Sequence, residues 1–382
     1  MSACELGGDK EWEKYNSAGM QAYEQGDYSD AEGLWRTTLE ITKEFGPEDQ
    51  RLATSLNNLA ALYRAQGKYA EAEPLHKRSL AIREKTLGPE HPEVATSLNN
   101  LALLYQAQGH YAKAEPLLKR SLAINENALG PEHPHVATSL NNLAALYRAQ
   151  GHYRRVTELL YKRSLAIREK VLEPEHSDVA QSLNNLALLY DAQGRYTEAE
   201  PLYRRSLAIN ENALGPEHPS VATVLDNLGG LYKALGKYAE AEPLYKRSLA
   251  IREGTLGPGH PDVAESLNNL AGFYRAQGHY AEAEPLYRRA LAINENALGP
   301  EHPSVAINLD NLGGLHEALG KYAEAEPLFK RALAIFEKVL GPEHPSVAKS
   351  LENYAVLLRE TGRGAKAAKM RARAKAIHAK YE

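Results

Sequence analysis

Apolar residues recur along the chain at spacings of three and four. From Pro92 they fall at Val94, Leu98, Leu101, Leu104 and Tyr105; after Gly109 a second run carries Ala114, Leu117, Leu118, Leu122, Ile124 and Leu129. This spacing puts each run on one stripe of an amphipathic helix. Pro92 suits the first helical position, where its missing N–H is not needed. Gly109 closes the first helix, and Gly130 fits a left-handed helix end that Pro131 stops from continuing. The spacing predicts two antiparallel helices joined by a short turn, neither able to bury its stripe alone.

The same pattern returns along the whole chain. An anchor of the form Ser/Val/Asn-Leu-(Asn/Asp/Glu)-Asn stands at Ser55, Ser97, Ser139, Ser182, Val224, Ser266, Asn308 and Ser350, every step 42 residues except one of 43. A period of this length marks a solenoid, in which each repeat contacts its neighbours and the product is an extended surface. The expected fold is an all-α solenoid of about nine stacked helix pairs. The expected organisation is a flexible tail over 1–10 and one solenoid over 11–382. Residues 11–52 form an N-terminal capping repeat, 53–347 seven full repeats, and 348–382 a C-terminal capping repeat.

Small residues hold fixed places: Ala60, Ala102, Ala144, Ala187, Gly229, Ala271 and Gly313 on the first helix, and Ala72, Ala114, Ala199, Ala241, Ala283 and Ala325 on the second. Rings fall beside them in two series, one from Tyr63 to Tyr274 and one from Tyr69 to Tyr322, and small against large predicts close helix packing rather than binding. Pro74 and its equivalents lie just past the first turn of the second helix, where each removes one backbone bond and predicts a slight bend. In the final repeat Arg371 and Lys375 replace apolar residues, as a polar terminal face requires. The basic run from Lys366 to Lys380 reads first as a solubilising cap and second as a contact patch. The 43-residue step inserts a residue near Tyr153, loses the Pro and places Glu173 where other loops have Gly. A change of superhelical pitch and a neutral scar are both compatible with it.

Composition narrows the chemistry. A net charge of −4 over 382 residues gives no general pull toward nucleic acid or an anionic membrane. Cys4 is the only cysteine, which fits a reducing compartment, and no run approaches the ~18 apolar residues of a membrane span. The expectation is a soluble cytoplasmic protein without membrane or nucleic-acid partners. His91, His133, His176, His218, His260, His302 and His344 recur once per repeat, too far apart to converge on a metal, so a role in helix entry or loop packing is expected. Gly229–Tyr238 resembles a phosphate loop only in its glycines: the spacing is wrong and no Ser or Thr follows Lys237. Glu71, Glu73 and their equivalents are expected on an exposed face. No catalytic constellation and no cofactor site emerges, and an enzyme is not expected.

The repeat Asn-Asn-Leu-Ala…Tyr…Gly-Lys-Tyr…Ala-Glu-Pro-Leu…Lys-Arg…Leu…Ile-Arg-Glu-Lys…Leu-Gly…His-Pro…Val-Ala resembles the tetratricopeptide repeat in its long, kinesin-light-chain form. The match is close from Gln66-Gly67-Lys68-Tyr69 to Gly88, and the resemblance spans roughly residues 11–382. It implies a right-handed superhelix whose first helices line a concave groove. In kinesin light chains that groove accepts extended cargo peptides carrying a Trp beside acidic residues. Prokaryotic repeats of this type look like scaffolds or sensor arms. No heptad segment precedes the repeats in this sequence and no nucleotide-binding domain accompanies them, so only the groove is expected to transfer.

By that resemblance the groove-facing residues are the pairs Asn57 and Asn58, Asn99 and Asn100, Asn141 and Asn142, Asn184 and Asn185, Asn268 and Asn269, with Asn227 and Asn311 following Asp226 and Asp310. Asn is a poor helix-interior residue, so its recurrence needs a reason. Its amide can hold the backbone of an extended peptide, or bond adjacent first helices and lock the stack. One Asn of each pair doing each job fits both readings. One turn on stand Arg64, Arg148, Lys233 and Arg275, with Lys68, His110, His152, Arg195, Lys237, His279 and Lys321 nearby; Asp191 and Glu317 interrupt the row. A preference for an acidic peptide and plain surface charge are the two readings. The functional expectation is a non-enzymatic scaffold binding a protein or peptide segment, with self-association of the solenoid edges open. The second is a sensor arm that controls a separately encoded effector through a ligand-dependent change in curvature.

Overall fold

The computed structural model describes residues 3–150 and 155–380, with side chains from Gly8 onward; Cys4's side chain, His152, Tyr153 and Arg154 fall outside that description. Eighteen α-helices and no strand make up the described residues. In chain order they are α1 (Ala3–Glu24), α2 (Tyr28–Thr42), α3 (Gln50–Ala65), α4 (Tyr69–Leu87), α5 (Pro92–Ala107), α6 (Tyr111–Leu129), α7 (Pro134–Ala149), α8 (Arg155–Val171), α9 (Ser177–Ala192), α10 (Tyr196–Leu214), α11 (Pro219–Ala234), α12 (Tyr238–Leu256), α13 (Pro261–Ala276), α14 (Tyr280–Leu298), α15 (Pro303–Ala318), α16 (Tyr322–Leu340), α17 (Pro345–Glu360) and α18 (Gly364–His378). Odd helices are the first of each pair and even helices the second. α1 takes in residues 3–10, most of the stretch expected as a tail. The chain divides into two compact units, Met1–Leu146 and Tyr147–Glu382, each built of packed helices, with the boundary inside α7.

The stripes bury as the spacing predicts. Val94, Leu98, Leu101, Leu104 and Tyr105 of α5 are buried, as are Ala114, Leu118 and Ile124 of α6, while Leu117, Leu122 and Leu129 are half-buried. The small positions are contact points. A Cβ on Gly229 would stand 3.1 Å from the Tyr245 ring, so α11 and α12 approach through that glycine. The ring series divides. Tyr63, Tyr105, Tyr190 and Tyr232 are buried, but Tyr238 of the second series is 39% exposed and so is not a core ring.

Each recurring histidine opens a helix. His91 Nδ1 accepts the Glu93 N–H (3.1 Å) at the start of α5, and His176, His218, His260, His302 and His344 cap α9, α11, α13, α15 and α17 in the same way. The following Pro supplies a preset first turn in α5, α11, α13, α15 and α17. Gly130 differs from the expected left-handed end: with φ 88° and ψ 155° it occupies a region open to glycine alone. Glu173 stands at the equivalent place and keeps a negative φ; α8 stops at Val171, one residue short of its counterparts. All of the described part of α8 is α-helical.

Candidate binding face of the first helices

The asparagine pairs form a ladder. The Nδ2 of the second Asn in one repeat donates to the Oδ1 of the first Asn in the repeat before: Asn100 to Asn57 (3.0 Å), Asn142 to Asn99 (2.7 Å), Asn227 to Asn184 (2.9 Å) and Asn311 to Asn268 (3.4 Å). Asn58 extends the ladder to Asn16 of the first pair (2.9 Å), a partner with no pair pattern to announce it. These bonds are the stack-locking alternative. Each uses half of two amides. The other half, such as Asn99 Nδ2 or Asn142 Oδ1, is not among the buried unbonded polar atoms. Asn141 and Asn184 are buried; Asn185 and Asn269 are half-buried.

Two steps carry a carboxylate instead. Asp226 accepts from Ser266 Oγ (3.1 Å) and lies 3.3 Å from the buried Arg252 guanidinium. Burial pushes its pKa up to about 6 despite that arginine. Asp310 accepts from Ser350 Oγ (3.0 Å) and is also bonded by Asn353; burial outweighs both and lifts it to about 7.

The expected cation row is only partly free. Arg148 bonds the buried Tyr161, and Arg275 lies over Gly314 and bonds Tyr287. Burial holds Lys233 below the usual lysine range, with Arg275 adding to it, and burial raises Asp191 and Glu317. Arg64 is half-buried near His76. Several of the nearby cations belong to another lock. Tyr105, Tyr190, Tyr232 and Tyr274 donate to Glu73, Glu158, Glu200 and Glu242 of the preceding second helix at 2.8–3.0 Å. Arg195 and Lys237 lie over the Tyr190 and Tyr232 rings. Glu73, expected on an exposed face, is therefore a structural acceptor. In the basic C-terminal run, Arg373 and Lys380 pair with Glu337 and Glu343.

A third tyrosine set went unread in the sequence: Tyr161, Tyr203, Tyr245 and Tyr287, whose rings underlie the first helices. The Tyr245 and Tyr287 hydroxyls come within 3.7 and 3.5 Å of where Cβ atoms on Gly230 and Gly272 would lie. Tyr203 Oη is buried without a hydrogen-bond partner among the described residues.

Between α9 and α11, floored by α10, a cavity of about 500 Å³ opens. Asn184, Asn185, Ser206, Asn210 and Thr223 line it, Leu214 and Val224 give it an apolar side, and Asp178, Gln181, His218 and Ser220 are among its other polar residues. It has no Lys or Arg in its lining, so the acidic preference expected of the cation row does not extend to it. Among the described residues no His, Cys, Asp and Glu group could hold a metal, and no helix is long and apolar enough to cross a membrane.

The tetratricopeptide repeat family matches this chain in eight overlapping segments, from 13–85 to 305–380. The chain belongs to that family. Among solved structures it is similar to TPR-like repeats of the kinesin light chain kind from Podosopora anserina (34% identity over 54% of this chain and 97% of that one, TM-score 0.45). It is also similar to BtubC (BKLC) from P. vanneervenii (26% identity, 62% and 92% covered, TM-score 0.47). A Rap protein solved with Competence and Sporulation Factor shares the fold over 97% of this chain and 99% of that one, at 17% identity and a TM-score of 0.63. No curated protein matches the chain.

Proposed function

We propose that the protein is a non-catalytic interaction scaffold that binds an extended segment of a protein partner along the first-helix face of its second compact unit. The observation that carries this reading is the cavity between α9 and α11. It is concave, mostly polar, and lined by one ladder pair, Asn184 and Asn185, and by Thr223 of the next repeat. Amides and hydroxyls there can meet both the N–H and the C=O groups of an extended backbone. Single cysteine content supports a reducing, cytoplasmic setting.

A photo-crosslinking residue at Thr223, inside the cavity, and at Glu240, on the exposed start of α12, tests the face. A partner captured from Thr223 and not from Glu240 is the expected result. Equal capture from both positions, or capture from Glu240 alone, overturns the assignment.

A further inference from the structure

From α4 to α14 the residue after the buried Ile of the second helix alternates: Arg83, Asn125, Arg168, Asn210, Arg252, Asn294; α16 breaks the series with Phe336. The three arginines are buried and sit alike. Arg83 Nη1 donates to the Glu93 carbonyl (3.3 Å) and Ser97 Oγ (2.9 Å), and its Nη2 to Thr54 Oγ1 (3.4 Å). Arg168 Nη1 donates to the Asp178 carbonyl (2.8 Å) and Ser182 Oγ (3.0 Å). Arg252 repeats the set on the Asp262 carbonyl (2.9 Å), Ser266 Oγ (3.1 Å) and Thr223 Oγ1 (3.3 Å). The fold thus builds a guanidinium seat between the first helix of one repeat and the opening turn of the next.

Asparagine is too short to fill that seat. Asn125 and Asn294 still reach across it, to Ser139 Oγ (3.0 Å) and Asn308 Oδ1 (2.7 Å). Asn210 cannot, because the residue at that place is Val224, which offers no acceptor. Asn210 is 4% exposed, makes no side-chain hydrogen bond among the described residues, and lines the cavity. The correspondence covers the whole seat. Gln181, Asn184, Ser220, Thr223 and Val224 line the cavity and stand one repeat before Thr223, Asp226, Asp262, Glu265 and Ser266, the five residues around Arg252.

We propose that this cavity is an arginine seat without an arginine of its own, and that the bound segment supplies the guanidinium. This rests on the binding-face reading and names the side chain that face selects. The planar fork would donate to Asn210 Oδ1, to the Ser220 carbonyl and to Thr223 Oγ1, which also accepts from Arg252; a backbone carbonyl and a hydroxyl are acceptors of the kind that hold Arg83 and Arg252. Asp178 supplies the carboxylate at the rim; it also faces Arg168 at 4.0 Å. Leu214, Ala180 and Val224 cover the aliphatic stem.

Acetylarginine amide is the probe, titrated by calorimetry into the full chain. The expected result is one site, with acetylcitrulline amide, uncharged and of the same shape, bound about tenfold more weakly. Asn210→Arg fills the seat from inside, as alternate repeats already do, and abolishes binding while cooperative unfolding is kept. Arg252→Ala opens a second seat: it binds two equivalents and its melting temperature rises with the probe. Binding that survives Asn210→Arg, equal binding of the citrulline compound, or no second site in Arg252→Ala overturns the proposal. Failure here with Thr223 crosslinking intact removes the seat and leaves the binding face standing.

Discussion

At the residue scale the asparagines show what a single side chain does in a stack. Each ladder bond between the asparagine pairs joins residues 43 apart, one repeat plus one position, and the bond to Asn16 joins residues 42 apart. A neutral amide bond of this kind contributes about 1 kcal/mol net, and removing one partner strands the other. Asn99→Ala and Asn142→Ala should each lower stability by about 1 kcal/mol in urea unfolding, and the double variant by less than the sum. Strict additivity would show that the two amides do not interact. The recurrence of Asn at a helix-unfavourable place was legible in the sequence. The division of labour was not, because which half of each amide is matched depends on the rotation of one helix against the next. Asn210 was hidden for a related reason: only the loss of the hydroxyl at Val224, on another helix, distinguishes it from Asn125.

At the element scale the fold was legible because each signal is local. Three-and-four spacing, Pro at the first turn of α5, α7, α11, α13, α15 and α17, and Gly after most of the helices act within one element or its ends. The sequence put the recurring histidines at helix entry or in loop packing; what it could not supply was the choice between the two and the atom that does the work. Histidine serves here in the place of the usual Ser, Thr, Asp or Asn, with Nδ1 as the acceptor. Among the described first-helix entries from α3 onward, the one without His uses Asp49, whose carboxylate accepts the Arg51 N–H (2.8 Å) at the start of α3. The two residues are therefore exchangeable in role. His91→Ala should cost about 1 kcal/mol by thermal or urea unfolding, and His91→Asp should restore it. A His91→Asp variant as unstable as His91→Ala would mean that the ring is retained for contacts other than the cap. The ends were less legible where glycine fails: Glu173 cannot take the backbone of Gly130, and α8 is shortened instead.

At the scale of the whole molecule, His76 in the first compact unit and Asp226 and Asp310 in the second respond to pH in opposite directions. In the first unit, burial with the nearby Arg64 charge holds His76 down to about 4. An unfolded histidine binds its proton near 6.5, so between those values the unfolded state holds more protons. The His76 contribution is full above about 6.5 and is lost as pH falls toward 4. In the second unit Asp310 lies at about 7 and Asp226 at about 6, against 3.8 for a free side chain. There the folded state holds more protons, so the contribution is full below 3.8 and lost as pH rises through 6 to 7. Each pKa unit is worth roughly 1.4 kcal/mol at its limit, so either effect reaches a few kcal/mol at most. Hydrogen exchange at pH 5 and pH 7.5 separates them. On going to pH 5, α3 and α4 should lose protection while α15 and α17 gain it. His76→Leu should cancel the first response, since Leu118 fills the same place one repeat on, and Asp310→Asn the gain at α15 and α17, leaving the Asp226 part, since Asn268 fills that place one repeat back. The same direction of change in both units, or responses at these helices that survive both substitutions, would place the controlling protons elsewhere.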